Sequence, residues 1–182
     1  MCGIKKASIG GMVLFASLVL SCASNTGFVN YREGLFQGCR SLQDGDYQPA
    51  LQEFLRATQA DPTRAWPLAM AGQAAYQMGD YAQASQYLAQ AEDLVKGQNH
   101  AYLVVKAYQT LIAFKENRQQ EGMTALAEYV RVYGFRFSHP DITYQDVEHM
   151  YQSGRIRLLT LEELINYQIS RYETYFPPYL LL

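Results

Sequence analysis

One stretch of the chain recurs 34 residues later, and this repetition constrains the fold more than any other feature of the sequence. The turn-like segment Gly45-Asp46-Tyr47 returns as Gly79-Asp80-Tyr81. The same offset pairs further residues of identical type: Gly38 with Gly72, Gln43 with Gln77, Ala50 with Ala84, Gln52 with Gln86 and Ala57 with Ala91. A repeat of this length predicts a small structural unit stacked on its own copy, because one unit alone cannot bury its apolar face.

The repeated residues suit two helices joined by a tight turn. Ala50 and Ala57 are seven residues apart, which places two small side chains on one face of the second helix. Gly45 permits the turn that precedes this helix. Asp61-Pro62 ends the helix, because the residue before a proline avoids helical geometry. The sequence therefore predicts an all-α fold built from helix pairs.

Two glycines lie inside the predicted first helices of the pairs, at Gly38 and Gly72. A glycine in a helix interior costs about 1 kcal/mol relative to alanine. We expect close approach of a neighbouring helix to offset that cost at both positions.

The pattern resembles the tetratricopeptide (TPR) repeat, whose period is 34 residues. The resemblance is close from Tyr31 to about Leu94 and extends, with a degenerate third copy, to Tyr133. Helices near 100–115 and 118–133 form that copy, in which Tyr129 replaces an expected small residue. The resemblance implies an all-α superhelix of about three helix pairs, with the repeat domain at residues 31–133.

In TPR proteins the first helices of successive pairs line a groove that binds partner peptides or helices. Carried over position by position, the resemblance assigns partner binding to Arg32, Leu35, Trp66, Gln73 and Tyr76. This mixture favours an apolar helix or extended peptide over a carboxylate terminus as the ligand. The alternative for Trp66, the single tryptophan, is that it packs between repeats.

Residues 1–21 have the order of residues found in an export signal. Lys5 and Lys6 precede a 12-residue apolar run at positions 9–20, and the small Ser21 follows. Twelve residues are too few to cross a bilayer, which takes about 20. A cleavable signal peptide is therefore expected.

The sequence Val19-Leu20-Ser21-Cys22 resembles the lipobox of bacterial lipoproteins. The resemblance implies that Cys22 becomes the first mature residue and carries the lipid, which includes palmitate. Residues 22–30 would then form a tether of small and polar residues. Ala23, in place of aspartate, favours the outer membrane and a domain facing the periplasm. The alternatives are plain secretion with an incidental Cys22, or a retained anchor.

Residues 134–182 are expected to form a C-terminal helical cap with an apolar tail. Gly134 is predicted to end the repeats, and residues 142–152 to form a helix. Thr160-Leu161-Glu162-Glu163 fits a capping box that starts a last helix, ending near Tyr175. One stripe of that helix should bury against the last repeat: Leu161, Leu164, Ile165, Gln168, Ile169 and Tyr172. Apolar and polar residues alternate at 135–138 and 155–158, which allows a small β-ribbon, with loops as the alternative. The tail at 176–182 either packs on its own domain or docks onto another protein or lipid.

Charge and motif content exclude several functions. With 15 basic and 17 acidic side chains the net charge is −2, so no nucleic-acid partner is expected. Five residues could in principle form a metal or acid–base site: His139, Asp141, Asp146, Glu148 and His149. No second motif supplies the remaining ligands, so a solvated helical face explains them better. We expect no cofactor, no metal and no catalytic residues, and the sequence does not indicate an oligomeric state.

Together these features predict a membrane-anchored periplasmic scaffold that binds a protein partner and helps assemble or position a cell-envelope complex. A secretion or pilus assembly helper would use the same fold. A periplasmic cell-wall enzyme, or an activator of one, is the alternative from another functional class. Without paired catalytic carboxylates or a metal set, the enzyme is disfavoured.

Overall fold

The computed structural model describes residues 10–95, 100–136 and 142–175. These residues form eight α-helices, arranged as successive antiparallel pairs: α1 (Gly10–Gln43) with α2 (Tyr47–Ala60), α3 (Ala65–Gln77) with α4 (Tyr81–Val95), α5 (His100–Lys115) with α6 (Gln119–Arg136), and α7 (Ile142–Ser153) with α8 (Leu158–Tyr175). The first three pairs are the predicted helix pairs. The all-α, TPR-like architecture is therefore confirmed.

The turns inside the first two pairs depend on glycine, as predicted. Gly45 has a φ of +82° and Gly79 a φ of +80°, a backbone conformation that glycine adopts without strain. The third pair has Asn117 in the same left-handed region, at φ 58°. Asparagine tolerates this region better than most residues, which explains how the degenerate copy keeps its turn.

The glycines inside the first helices lie where a large side chain of the second helix crosses. A Cβ atom on Gly38 would lie 2.6 Å from Cε1 of Phe54, and one on Gly72 would lie 2.6 Å from Cγ of Leu88. In the third pair the two helices exchange roles, because Gly122 of α6 lies against the Phe114 ring of α5. Close packing therefore offsets the helix cost of these glycines, as expected from the sequence.

Helix α1 is longer than predicted. It runs without interruption from Gly10 to Gln43, so residues 22–30, which were expected to be a tether, are helical. The segment contains no proline, and Gly27 packs close to the carbonyl of Ala60 at the end of α2. A helix rises about 1.5 Å per residue, so this segment has less than half of the reach of an extended tether.

Two boundaries in the C-terminal part also differ from the prediction. Helix α6 continues through Gly134 to Arg136, and the hydroxyl of Tyr144 in α7 packs where a Cβ at residue 134 would be. Helix α8 begins at Leu158, so Thr160 is inside the helix and not its cap. The amide of Leu161 already donates to the carbonyl of Arg157.

The described part of the C-terminal region contains helices joined by turns and coil, and no strand. The predicted helix at 142–152 is present as α7. Residues 135 and 136 are the helical end of α6, and residues 155–157 are coil before α8 begins at Leu158, so the described parts of the predicted ribbon are not strands. Residues 137–141 and the apolar tail at 176–182 lie outside the described residues. None of the helices, as far as they are described, is long and apolar enough to span a membrane.

The core runs along the array and centres on α3. Every residue of α3 from Ala65 to Tyr76 is buried, since α2, α4 and α5 all pack against this helix. At the far end, α7 packs on α6, and α8 packs on both α7 and α5. Four residues of the predicted α8 stripe are fully buried, namely Leu161, Ile165, Gln168 and Ile169, and Leu164 is half-buried against the core. The side chain of Tyr172 lies outside the described part of the structure.

Candidate partner-binding face

The five residues predicted to bind a partner do not share one open surface. Arg32 is exposed on α1, where its guanidinium lies 5.8 Å from the centroid of the Phe28 ring. Leu35 is fully buried in the core. Trp66, Gln73 and Tyr76 all lie on α3 and are 7%, 8% and 3% exposed. Their role in partner binding stays a prediction.

Tyr76 is covered by the C-terminal helix α8. Its hydroxyl donates a hydrogen bond to Oε1 of Glu162, at 2.5 Å. Burial raises the pKa of Tyr76, and the hydrogen bond and the negative charge of Glu162 raise it further. The second carboxylate oxygen of Glu162 accepts from Nζ of Lys115, at 2.8 Å. One carboxylate of α8 therefore joins the ends of α3 and α5.

Aromatic packing surrounds this junction. The Tyr76 ring lies 5.1 Å from the ring of Tyr108 and 5.4 Å from that of Tyr81, centroid to centroid. The ammonium of Lys115 lies 5.8 Å from the Tyr76 ring and 5.9 Å from the Tyr81 ring. The Glu162 hydrogen bond raises the pKa of Lys115, so the ammonium stays charged beside these rings.

Further polar side chains of α8 reach α3, α5 and α6. Asn166 Oδ1 accepts from the hydroxyl of Tyr108 at 3.0 Å and from the amide of Gln77 at 3.4 Å. Gln168 Oε1 accepts from the hydroxyl of Tyr129 at 2.6 Å. Helix α8 thus occupies one end of the face formed by α3 and α5. We call this the groove face, defined by Trp66, Gln73, Tyr76 and Tyr108.

Two polar atoms of the groove face are buried without a hydrogen-bond partner. They are Nε1 of Trp66, a donor, and Oε1 of Gln73, an acceptor. The residues are seven apart, so they lie on the same side of α3, about 10 Å from each other along its axis. A buried polar group with no partner costs about 1–3 kcal/mol, so nearly all such groups in folded proteins are paired. No sequence pattern signalled this pair of atoms.

A second cleft, of about 500 Å³, lies between α4, α5 and α6, and its charged side chains are paired with neighbours. Lys106 lies against Glu92 at 2.5 Å, and Gln109 donates to the other carboxylate oxygen of Glu92 at 2.6 Å. Burial by itself raises the pKa of Glu92, but these two hydrogen bonds more than offset it and hold the pKa below its usual value. The cleft is therefore a satisfied ionic network.

No metal-binding cluster of three or more His, Cys, Asp or Glu residues exists within the described ranges. Asp146 and His149 are exposed on α7, while His139 and Asp141 lie outside those ranges. Cys39 is partly buried and forms no disulfide within the described residues.

Comparison with known families agrees with the repeat pattern. A tetratricopeptide repeat family model matches residues 41–107, which extend from the end of α1 into α5. No curated protein matches the chain. The match supports TPR repeats over this part of the chain, and arrays of such repeats are typically non-catalytic scaffolds for protein–protein interaction.

Proposed function

We propose that the chain is a lipid-anchored scaffold of the bacterial outer membrane, facing the periplasm, that binds a protein partner through its groove face. In this role it helps assemble or position an envelope complex. The signal-like residues 1–21 and the lipobox-like segment ending at Cys22 support the anchor. The TPR match supports the interaction with a protein.

The unpaired atoms of Trp66 and Gln73 carry the binding proposal. Their separation of about 10 Å equals about three residues of an extended chain. Both atoms are shielded from solvent, so a ligand reaches them only when the side chains that cover them shift. A peptide backbone then supplies what both atoms lack: a carbonyl for Trp66 Nε1 and an amide for Gln73 Oε1. Tryptophan is also among the side chains that most often dominate interface energies.

Helix α8 limits access to this face. Because Glu162 and Asn166 hold α8 against Tyr76, Gln77 and Tyr108, a ligand that extends over the Tyr76 end has to displace α8. Partner binding and α8 docking then compete for one surface. The partner is an apolar segment with free backbone groups, in helical or extended form.

Two conservative variants test the binding. Trp66→Phe keeps an aromatic ring but removes the unpaired N–H, and Gln73→Leu keeps the side-chain length but removes the unpaired carbonyl. Gln73→Leu should not lower the thermal midpoint, since it removes a buried polar atom that has no partner. Trp66→Phe also removes part of a buried ring and should lower the midpoint, so recovery is compared at a temperature where circular dichroism shows both variants folded. Both should reduce crosslinked recovery of the partner from cells.

The matched control is Gln59→Leu, an exposed glutamine on α2, which should leave recovery unchanged. Full recovery by the Trp66→Phe and Gln73→Leu variants would place the partner elsewhere on the chain.

Metabolic labelling with a fatty-acid probe tests the anchor separately. The wild-type chain should be labelled, and Cys22→Ser should abolish the label and the processing. Cys39→Ser, which changes the other cysteine outside the signal segment, should be labelled like wild type. Equal labelling of Cys22→Ser and wild type would refute lipid attachment at Cys22.

A further inference from the structure

Helix α1 carries large apolar side chains on the side that faces away from the core. Phe28, Val29 and Phe36 are 47%, 52% and 49% exposed, whereas Tyr31 and Leu35 of the same helix are buried. Together with neighbouring polar side chains they line a shallow groove of about 450 Å³: Phe28, Val29, Arg32, Glu33, Phe36 and Gln37. We call Phe28, Val29 and Phe36 the α1 patch.

The backbone of α1 places residue 22 on the same side of the helix as this patch. The helix is unbroken from Gly10 to Gln43, and positions 22, 29 and 36 follow each other at intervals of seven residues. At 3.6 residues per turn these positions stay within about 40° of one another. Val29 is then about 10 Å, and Phe36 about 21 Å, along the axis from residue 22.

We infer that the α1 patch lies in the headgroup region of the phospholipid membrane, with α1 parallel to the surface. The inference rests on the proposed lipid attachment at Cys22, which would hold the whole patch within about four helical turns of the bilayer. An apolar helix face presented to a bilayer surface inserts to the level of the headgroups and upper acyl chains. Aromatic side chains favour that depth.

The charges around the patch are balanced. Arg32 lies over the Phe28 ring at 5.8 Å, and Glu33 follows it in the groove. An apolar patch flanked by one cation and one anion gains little from anionic lipids, in contrast to a basic amphipathic helix. The patch should therefore enter vesicles of zwitterionic phosphatidylcholine as well as mixed vesicles.

Tryptophan reporters in the mature, lipidated chain test this placement. The native tryptophan is first removed by Trp66→Phe, and Val29→Trp, Phe36→Trp or Gln52→Trp is added. Gln52 is exposed on α2 and is the matched control. Each protein is reconstituted into phosphatidylcholine vesicles, with and without lipids brominated near the headgroup end of the acyl chain, and circular dichroism verifies the fold.

The expected result is a blue-shifted emission that brominated lipid quenches for Val29→Trp and Phe36→Trp, with no quenching for Gln52→Trp. Vesicle-bound protein without quenching at positions 29 and 36 would overturn the inference and leave the anchor intact. Protein that does not float with the vesicles would overturn both. A blue shift without quenching, together with a dimer mass, would assign the patch to a second copy of the chain and also overturn the inference.

Discussion

The ammonium of Lys115, at the end of α5, lies 2.8 Å from Oε2 of Glu162 in α8, while the other oxygen of this carboxylate accepts from Tyr76 of α3. Both partners of the ion pair are partly buried, with side chains 23% and 21% exposed. A single side chain of α8 therefore connects the C-terminal helix to two successive repeats, at the face where a TPR array is expected to receive its ligand.

Removing this carboxylate should loosen α8. Glu162→Ala leaves the Lys115 ammonium and the Tyr76 hydroxyl without their acceptor, at a cost of about 1–3 kcal/mol. Hydrogen exchange should accelerate in α8 and at the end of α3. Glu163→Ala, at the exposed neighbouring position, should leave exchange as in wild type. If the two variants exchange alike, Glu162 does not hold α8 in place.

Enlarging a small residue between α3 and α4 should destabilise the repeats. Ala84 is fully buried, and its carbonyl oxygen lies 3.4 Å from where a Cβ on Gly72 would be. Ala84→Phe should lower the free energy of unfolding by about 1–3 kcal/mol or more, because the packed helices have to separate. Thermal melts measure this. The exposed Ala82→Phe is the control, and an unchanged midpoint for Ala84→Phe would contradict the helix register.

The hydrogen bond between α6 and α8 should be one of the more costly to remove. Tyr129 and Gln168 are both fully buried, and the tyrosine hydroxyl donates to Gln168 Oε1. Tyr129→Phe leaves that oxygen without this donor and should cost about 1–3 kcal/mol in urea unfolding. Tyr167→Phe, on the exposed side of α8, should be neutral. Equal free energies of unfolding for Tyr129→Phe and wild type would show that this hydrogen bond contributes no net stability.

The Glu92 network predicts a pH-dependent stability. Because the pKa of Glu92 is lower in the folded chain than in the unfolded one, its stabilisation is present above the ordinary glutamate pKa of about 4.3 and is lost as pH falls through the folded value. Glu92→Gln should therefore be less stable than wild type at neutral pH, with a difference that shrinks in acid.

Urea unfolding across a pH series measures this difference, and Asp93→Asn, an exposed neighbour, is the control. A difference between Glu92→Gln and wild type that persists unchanged into acid would contradict the ionic origin of the stabilisation.

Most of the repeat architecture could be predicted from local patterns. The turns at Gly45 and Gly79, the helix end before Pro62 and the close packing at Gly38 and Gly72 each follow from a residue type at a repeated position. The inward stripe of α8 followed from helical periodicity in the same way. Such features depend on neighbours within one helix pair, so a single sequence contains the information for them.

The candidate site could be predicted only as positions on helix faces. Periodicity placed Trp66 and Gln73 on one side of α3, but it could not show that both are buried with an unpaired polar atom. Burial depends on every helix that packs nearby, including one far away in the chain. The prediction for Leu35 illustrates this limit, because a position expected to line the groove is part of the core.

By itself the sequence determined a helix-pair array with small residues where helices cross, because its 34-residue period repeats the same local steric requirements. Only the tertiary structure decided that α1 continues through residues 22–30, that α6 passes Gly134, and that α8 docks by Glu162 onto Tyr76 and Lys115. Those outcomes depend on contacts between residues that are distant in sequence. The polar side chains that make these contacts follow no periodicity, and their hydrogen bonds stabilise the fold only after separate helices have packed together.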